Sequence, residues 1–292
     1  MEMVINLARY RTAIICGLVC LLLAWLAAGR INPEKPADEK AKQQLDSPQE
    51  WGEFLAWPEV KGIFPRYARA TITDYETGKS FRVQRRAGSG HADVQPLTAG
   101  DTAVMQDIYQ GKWSWRRRAV IVTLDNGARI AASMAGMPHG SGAIRGNRFN
   151  GHFCLHFRDS RTHGSAQVDP AHQMMIWKAA GVLDNRLAAM PPTELVTAFF
   201  TALNQGDATI VCGMASATGQ NKLAEDIKSI QSIKLDSVAQ QSAISFQVSL
   251  RVQYTGNSRI FSQHGQVLLI PTGSGWRVNY PSVQPWLRAS PL

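Results

Sequence analysis

An apolar segment and a polar segment make up most of the first 50 residues. No charged side chain interrupts residues 12–29, and Arg9 and Arg11 precede that stretch. An apolar run of this length behind basic residues predicts a membrane-spanning helix within residues 1–30, with a cytoplasmic N-terminus. A cleaved signal peptide is the alternative, and in either case the rest of the chain is expected outside the cytoplasm. Residues 31–47 are polar and lack aromatic side chains, which is typical of a solvated stalk.

Between residues 48 and 187, apolar positions alternate with polar ones in short stretches. This pattern predicts a mainly-β domain with peripheral helices. Residues 67–74 and 80–84 form one predicted hairpin. Residues 119–124 and 129–133 form another, because the Asp-Asn-Gly between them is a strong turn signal.

Three helices are predicted around these strands from their N-terminal signals. Ser47 before a proline predicts a short helix that leads into the domain. A capping box that begins at Thr98 predicts a second helix. Asp169 before Pro170 predicts a third, which runs to about Ala180.

Residues 188–292 have a lower density of arginine and a different order of elements. An amphipathic helix over 193–204 precedes three alternating stretches at 243–254, 259–270 and 275–280. The segments FFTALNQGD and GSGWRVNY resemble the opening helix, Gly-Asp break and final strand of the nuclear-transport-factor-like cone fold. The resemblance implies a binding or dimerisation module with a curved antiparallel sheet. The predicted fold class is therefore α+β, with an N-terminal transmembrane helix, a mainly-β domain with peripheral helices, and a C-terminal α+β cone-like domain.

Composition and charge narrow the class of protein. Hydrophobic residues make up 45% of the chain and charged residues 18%, which excludes wholesale disorder. The net charge of +9 comes from residues 60–186, which hold 18 Lys and Arg against 9 Asp and Glu. Such a block suits an anionic polymer, but no reading helix, zinc-finger spacing or aromatic platform indicates nucleic acid. The chain has four cysteines, two of them in the apolar N-terminal segment, so a disulfide framework is excluded.

Residues 151–157 read Gly-His-Phe-Cys-Leu-His-Phe and carry the candidate chemistry. On a strand the apolar side chains share one face, and the opposite face carries His152, Cys154 and His156. Imidazoles on both sides of a thiol can stabilise or generate the thiolate that acts as a nucleophile. Six of the seven histidines fall between His91 and His172, within the basic block.

Three other interpretations of Cys154 stay open. A free cysteine is often a small buried hydrophobe, and a disulfide to Cys212 is a second alternative. A metal site is the third. On a strand, His152 and His156 lie about 13 Å apart at roughly 3.3 Å per residue, which is too far for both to bind one ion together with Cys154. A site would use two of these three residues and a further ligand such as His139 or His163. The residues of this alternative metal site are His139, His152, Cys154 and His156.

His139-Gly140 precedes Cys154 by 15 residues, and the interval between them is rich in Gly and polar residues. Over about residues 66–180 the chain resembles the L,D-transpeptidase catalytic family. The signature of that family is a His-Gly, a Gly-rich interval, then Ser-His-Gly-Cys, an aliphatic residue and Arg or Asn. The matching residues are His139, Gly140, His152 and Cys154. The sequence departs from the signature at three positions: Gly151 stands where Ser or Thr is usual, Phe153 replaces Gly, and His156 replaces the polar residue.

The resemblance implies that Cys154 attacks a carbonyl of a peptidoglycan stem peptide, with His139 as base and His152 as a third catalytic residue. Backbone N–H groups near the cysteine would hold the oxyanion. No cofactor is implied. The expected substrate-binding residues are Gly140, Ser141, His156, Arg158 and His163.

The function predicted from the sequence is a membrane-anchored cysteine acyltransferase of the cell envelope, with cross-linking or carboxypeptidase outcome. Its expected partners are peptidoglycan or another anionic envelope polymer, the membrane, and a second copy bound through the C-terminal domain. Two alternatives from other classes stay open. One is a catalytically inactive envelope-binding or assembly protein. The other is a metal-binding protein that uses the His and Cys residues.

Overall fold

Six antiparallel strands close into a barrel, in which each strand pairs with two neighbours. The computed structural model describes residues 51–288. The barrel strands are β1 Arg69–Asp74, β2 Ser80–Ala87, β3 Ala92–Pro96, β4 Arg117–Leu124, β5 Arg129–Ala135 and β6 Phe153–His156. Their order around the barrel is β1-β2-β3-β6-β5-β4, and β4 pairs again with β1.

A second antiparallel sheet of four strands occupies the C-terminal part of the chain, in the order β10-β9-β8-β7. Its strands are β7 Ile230–Gln240, β8 Ser245–Tyr254, β9 Ile260–Thr272 and β10 Gly275–Val278. The helices are α1 Trp57–Ile63, α2 Ala99–Ile108, α3 Pro170–Ala179, α4 Leu183–Ala188, α5 Pro192–Gln205, α6 Ala208–Met214, α7 Gln220–Ser229 and α8 Tyr280–Leu287.

This arrangement corrects the predicted fold class. The chain is α+β, but its first sheet is a closed six-stranded barrel and its second is a curled four-stranded sheet. Closure depends on pairs such as β1 with β4 and β3 with β6, which lie far apart in sequence and leave no local signal. Within residues 51–288, no helix has both the length and the apolar character needed to cross a membrane. The membrane span predicted within residues 1–30, the stalk and the start of the first predicted helix lie outside the described residues. The described part of that predicted helix is wrong: residues 51–56 form no helix, Glu53 and Ala56 make backbone bridges to Ile130 and Arg158, and α1 begins at Trp57.

Local signals are confirmed where they were strong. Thr98 caps α2 in a reciprocal capping box with Asp101, and Asp169 caps α3 through the N–H groups of Ala171 and His172. The Asp-Asn-Gly turn joins β4 to β5. Strand β3 was not predicted, because all five of its residues are buried and two of them, Asp93 and Gln95, are polar.

Two hydrophobic clusters stabilise the described part of the chain. One contains inward-facing barrel residues together with Met105 and Ile108 of α2. The other joins α3, α5 and the second sheet, and it includes Ala119, Ile121 and Ala131 from strands β4 and β5. Helix α3 therefore packs against the barrel on one side and against α5 on the other. The predicted boundary between residues 187 and 188 stays a prediction.

A polar seam, formed by Arg116, Arg117, Arg118 and their partners, lies where the barrel contacts α3 and β7. The three consecutive arginines before and within β4 each have partners inside the protein. These are the carbonyls of Ile230 and Gln231 for Arg116, Asp169 for Arg117, and Asp74 with Glu76 for Arg118. All three arginines are therefore engaged in contacts within the protein. Arg116 links the barrel to β7, and Arg117 links it to the N-terminus of α3.

Lys178 of α3 lies in the same seam, between Asp207 at 2.6 Å and Glu76 at 2.8 Å. We expect Lys178→Met to lower the free energy of unfolding by about 3–5 kcal/mol, because it leaves the buried Asp207 carboxylate without its cation. Urea denaturation measures this loss. Lys222→Met is the matched control, since the exposed Lys222–Glu225 pair contributes about 1 kcal/mol or less. Equal effects of the two substitutions would contradict the prediction.

Candidate functional site

A thiol and an imidazole lie in contact at strand β6 of the barrel. Strand β6 carries Cys154, and the loop between β5 and β6 returns His139 beside it. His139 and His152 form an isolated antiparallel bridge, with backbone hydrogen bonds of 3.0 and 2.8 Å. The bridge places Nε2 of His139 3.2 Å from Sγ of Cys154. This is the contact that a nucleophile and its base require.

The tautomer of His139 follows from its second contact. Nδ1 of the ring lies 2.9 Å from the carbonyl oxygen of Met137. A carbonyl can only accept, so Nδ1 carries the proton and Nε2 presents a lone pair to the thiol. The ring is thus oriented to receive a proton from Cys154.

The surroundings of Cys154 and His139 favour the neutral thiol and the neutral imidazole. Burial, together with the nearby negative charge of Asp93, raises the pKa of Cys154 to about 12. Burial lowers the pKa of His139, and the neighbouring His152 and His163 act in the same direction. The pair therefore suits general-base activation during attack rather than a preformed thiolate–imidazolium pair.

Asp93 is the buried carboxylate of the site. It lies directly opposite Cys154 in the pairing of β3 with β6, and its Oδ1 is 4.0 Å from Sγ. The same oxygen lies 3.1 Å from Nε2 of His91 and 3.0 Å from Nε2 of His163. Burial opposes its ionisation, but His91, His152 and His163 outweigh burial and lower the pKa of Asp93. The negatively charged carboxylate of Asp93 therefore lies next to the thiol of Cys154.

Gln95, two residues further along β3, holds the loop that carries His139. Its Nε2 donates to the carbonyl of Gly151 at 2.7 Å. Its Oε1 accepts from the N–H groups of Ala143 and Ile144 at 2.7 and 3.1 Å. The loop is therefore tied to the strand that supplies Asp93.

A stack of buried imidazoles continues from the site into the protein. The ring of His156 lies 4.5 Å from that of His91 and 3.8 Å from that of His172, in both cases nearly parallel. His156 contacts Ser160, and His172 contacts Ser133. His156 is thus turned toward the interior.

The structure brings together some of the residues predicted for the site. Cys154, His139, His152 and His163 have ring nitrogens or sulfur within 4.8 Å of one another. Gly140 and Ser141 are exposed next to them, and the carbonyl of Ser141 accepts from Nδ1 of His152 at 3.1 Å. Two predicted residues lie elsewhere: His156 in the imidazole stack, and Arg158 over the ring of Phe54 with Glu59 as its ion-pair partner.

Sequence reasoning missed His91, Asp93 and Gln95. The available signal was their spacing of two residues in HADVQ, which places all three on one face of a strand. It also missed the position of Trp115, an exposed indole whose ring lies 5.2 Å from the ring of His139. Trp115 therefore offers an apolar contact surface beside the base.

Among residues 51–288, two overlapping groups of side chains could hold a metal ion. They are His139, His152, Cys154 and His163, and His91, Asp93, Cys154 and His163. His163 takes the place that the sequence prediction gave to His156. Nε2 of His91 and Nε2 of His152 are both buried and have no hydrogen-bond partner within the described part of the chain.

The arrangement around Cys154 thus combines a nucleophile, an oriented base, a buried carboxylate and an open side bordered by Trp115 and His163. It can support attack on a carbonyl or binding of a soft cation. No protein-family model matches the chain, and no curated protein matches it.

Gly151 allows the close approach of His139 and His152. Its φ is +112°, and a Cβ there would lie 2.4 Å from the carbonyl oxygen of His139. We expect Gly151→Ser, which restores the usual residue of the L,D-transpeptidase signature, to lower the free energy of unfolding by about 2 kcal/mol or more. Gly164→Ser is the control, because a Cβ at Gly164 meets no atom within 4 Å. Urea denaturation compares the two, and a Gly151 variant as stable as the Gly164 variant would show the prediction to be wrong.

His172 makes stability depend on pH. Burial holds the pKa of His172 well below its usual value, and Arg117 and His91 add to this shift. Below a pH of about 6.5 the unfolded chain therefore binds one more proton than the folded chain. As the pH is lowered through this range, His172 decreases the free energy of unfolding by about 1.4 kcal/mol per pH unit. His172→Phe should reduce the slope of unfolding free energy against pH by that amount. Ser133→Ala removes the hydrogen-bond partner of His172 but keeps its ring, so its slope should match the native one; an unchanged slope in His172→Phe would rule out this origin.

Proposed function

We propose that the protein is a cysteine acyltransferase of the cell envelope that acts on peptidoglycan stem peptides. The observation that carries the proposal is the 3.2 Å contact between Nε2 of His139 and Sγ of Cys154, with Nδ1 of the same ring held by Met137. The resemblance of the His-Gly and His-Phe-Cys segments to the L,D-transpeptidase signature supplies the substrate class. The envelope location belongs to the proposal, because its substrate lies outside the cytoplasm.

In the proposed reaction, Nε2 of His139 takes the thiol proton as Sγ attacks the donor carbonyl. The tetrahedral intermediate collapses, and the protonated His139 returns the proton to the leaving amine. This breaks the amide C–N bond and leaves a thioester on Cys154. An acceptor amine or water then attacks the thioester, and the C–S bond breaks to give a cross-link or a carboxylic acid. His139 takes the proton of the acceptor and returns it to Sγ of Cys154.

The surroundings of the pair support substrate entry from one side. Cys154 itself is buried, whereas Trp115, Ser141 and His163 are exposed around it. His152 supports the base through the backbone bridge and through its contact with the Ser141 carbonyl. In this proposal the exposed residues contact the stem peptide. The C-terminal sheet is the proposed module for binding a partner or a second copy.

Phe153 is compatible with the proposal. Its side chain belongs to the barrel cluster, where it lies near Phe81 and Phe149. Since neighbouring strand residues face opposite sides, the bulk that replaces the Gly of the signature is directed away from the thiol.

The test is acyl-enzyme formation by the full chain with a purified stem tetrapeptide, followed by intact-mass spectrometry. We expect one acyl adduct on the native protein and none on Cys154→Ala. His139→Gln should slow acylation by about 100-fold or more, because it removes the base. Cys212→Ala is the matched control, since Cys212 is a free thiol whose described partner is a backbone carbonyl, not an imidazole.

Acylation that persists in Cys154→Ala, or that does not depend on His139, would contradict the proposal. A native protein that binds the tetrapeptide without forming an adduct would favour the non-catalytic envelope-binding alternative. Thermal unfolding of each variant shows whether a loss of acylation reflects a loss of fold.

A further inference from the structure

His91 and Asp93 form a polar pair behind the thiol that the proposed acyl transfer does not use. Nδ1 of His91 lies 2.6 Å from the carbonyl of Arg161 and donates its proton to that oxygen. Nε2 of the same ring faces Oδ1 of Asp93 at 3.1 Å, yet the contact lacks hydrogen-bond geometry. His91 is only 2% exposed. A buried ring nitrogen held against a carboxylate is unfavourable unless a proton or a metal cation lies between them.

The donor atoms around this pair have the spacing of a metal site. Oδ1 of Asp93 lies 3.1 Å from Nε2 of His91, 3.0 Å from Nε2 of His163 and 4.0 Å from Sγ of Cys154. All four donor atoms lie within 4.8 Å of one another. Bonds of about 2.0–2.3 Å in a tetrahedron place the ligands about 3.3–3.8 Å apart. Shifts of about an ångström would therefore bring the four donors onto one ion.

The charges of the four side chains balance a divalent ion. One carboxylate, one thiolate and two neutral imidazoles carry two negative charges, so a divalent cation makes the buried cluster neutral. Nitrogen and sulfur donors favour a zinc-class ion over calcium or magnesium. The carbonyl of Arg161 orients His91 from outside the cluster, as outer-shell groups do in metal sites. His163 is exposed and gives the ion a path from solvent.

We propose that His91, Asp93, Cys154 and His163 form a zinc-class divalent cation site which, when filled, switches off the nucleophile. Binding breaks the S–H bond of Cys154 and forms a sulfur–metal bond. The thiol proton passes to Nε2 of His139 and from there to water. Nε2 of His163, which donates to Asp93 at 3.0 Å, loses its proton to water, and Nδ1 of the same ring takes one up, so that Nε2 can bind the ion. The metal then holds the sulfur electron pair that would attack the carbonyl. Metal binding stands by itself, whereas its effect on acyl transfer rests on the proposed function.

Binding is tested first on the full chain, freed of metal with a chelator and kept reduced. Zinc titration against a chromophoric chelator should give one ion per chain with a Kd below about 1 μM. Co²⁺ should give a thiolate charge-transfer absorption in the near ultraviolet, which reports Cys154 ligation without any reaction. His91→Gln and Asp93→Asn should each weaken zinc binding by about 100-fold or more. His264→Gln is the matched control, because His264 lies on the second sheet beside Ser249.

His139→Gln separates the metal site from the acyl transfer. It should keep the zinc affinity, because His139 is outside the proposed ligand set, while it loses acylation. Zinc should stop acylation of the native protein, a chelator should restore it, and His91→Gln should stay active at the same zinc concentration. If no variant or native protein is acylated but zinc binds as described, the proposed function fails and the metal site stands.

Three results would overturn the metal site: no zinc bound by the native protein, no thiolate band with Co²⁺, or an affinity unaffected by Asp93→Asn. Zinc binding that depends on His139 and His152 instead of His91 and Asp93 would also overturn it. Circular dichroism checks the fold of each variant. The Co²⁺ spectrum of the native protein keeps the test decisive should His91→Gln not fold.

Discussion

The pairing of β3 with β6 is the contact on which both the barrel and the site depend. It joins two strands that are about 60 residues apart and completes the ring of six. The same register sets Asp93 opposite Cys154, so closing the barrel also places a carboxylate behind the thiol. Gln95 extends the effect by tying the loop that carries His139 to β3. A single strand pair therefore sets the positions of nucleophile, carboxylate and base.

Burial of polar groups gives this region its chemical character. Cys154, Asp93 and His91 are all less than a tenth exposed, and the imidazole stack extends the polar column further inward. Because buried polar groups are costly without partners, backbone carbonyls and serine hydroxyls orient most of these rings. Among the described residues, the Nε2 atoms of His91 and His152 are buried ring nitrogens without a hydrogen-bond partner. The hydrogen bond that sets the His139 tautomer also directs the lone pair of that ring toward the thiol.

Three positions differ from the L,D-transpeptidase signature that the proposed function draws on, and the structure gives each a local physical reason. Gly151 has a positive φ and no space for a Cβ, so the Ser or Thr of that signature does not fit this turn. The side chain of Phe153 fills the barrel interior, on the side away from the thiol. His156 is buried in the imidazole stack, between the rings of His91 and His172.

The sequence by itself determined the local features: the capping box at Thr98, the N-cap at Asp169, the Asp-Asn-Gly hairpin, and the alternation that separates Phe153 from Cys154 across β6. It also indicated the His139 and Cys154 pair, because a Gly-rich loop of that length can return over a strand. Only the tertiary structure decided that the strands close into a barrel and that Asp93 and His91 join the site. Those contacts depend on register between strands distant in sequence, and a strand register is set by packing of the whole sheet rather than by any local pattern.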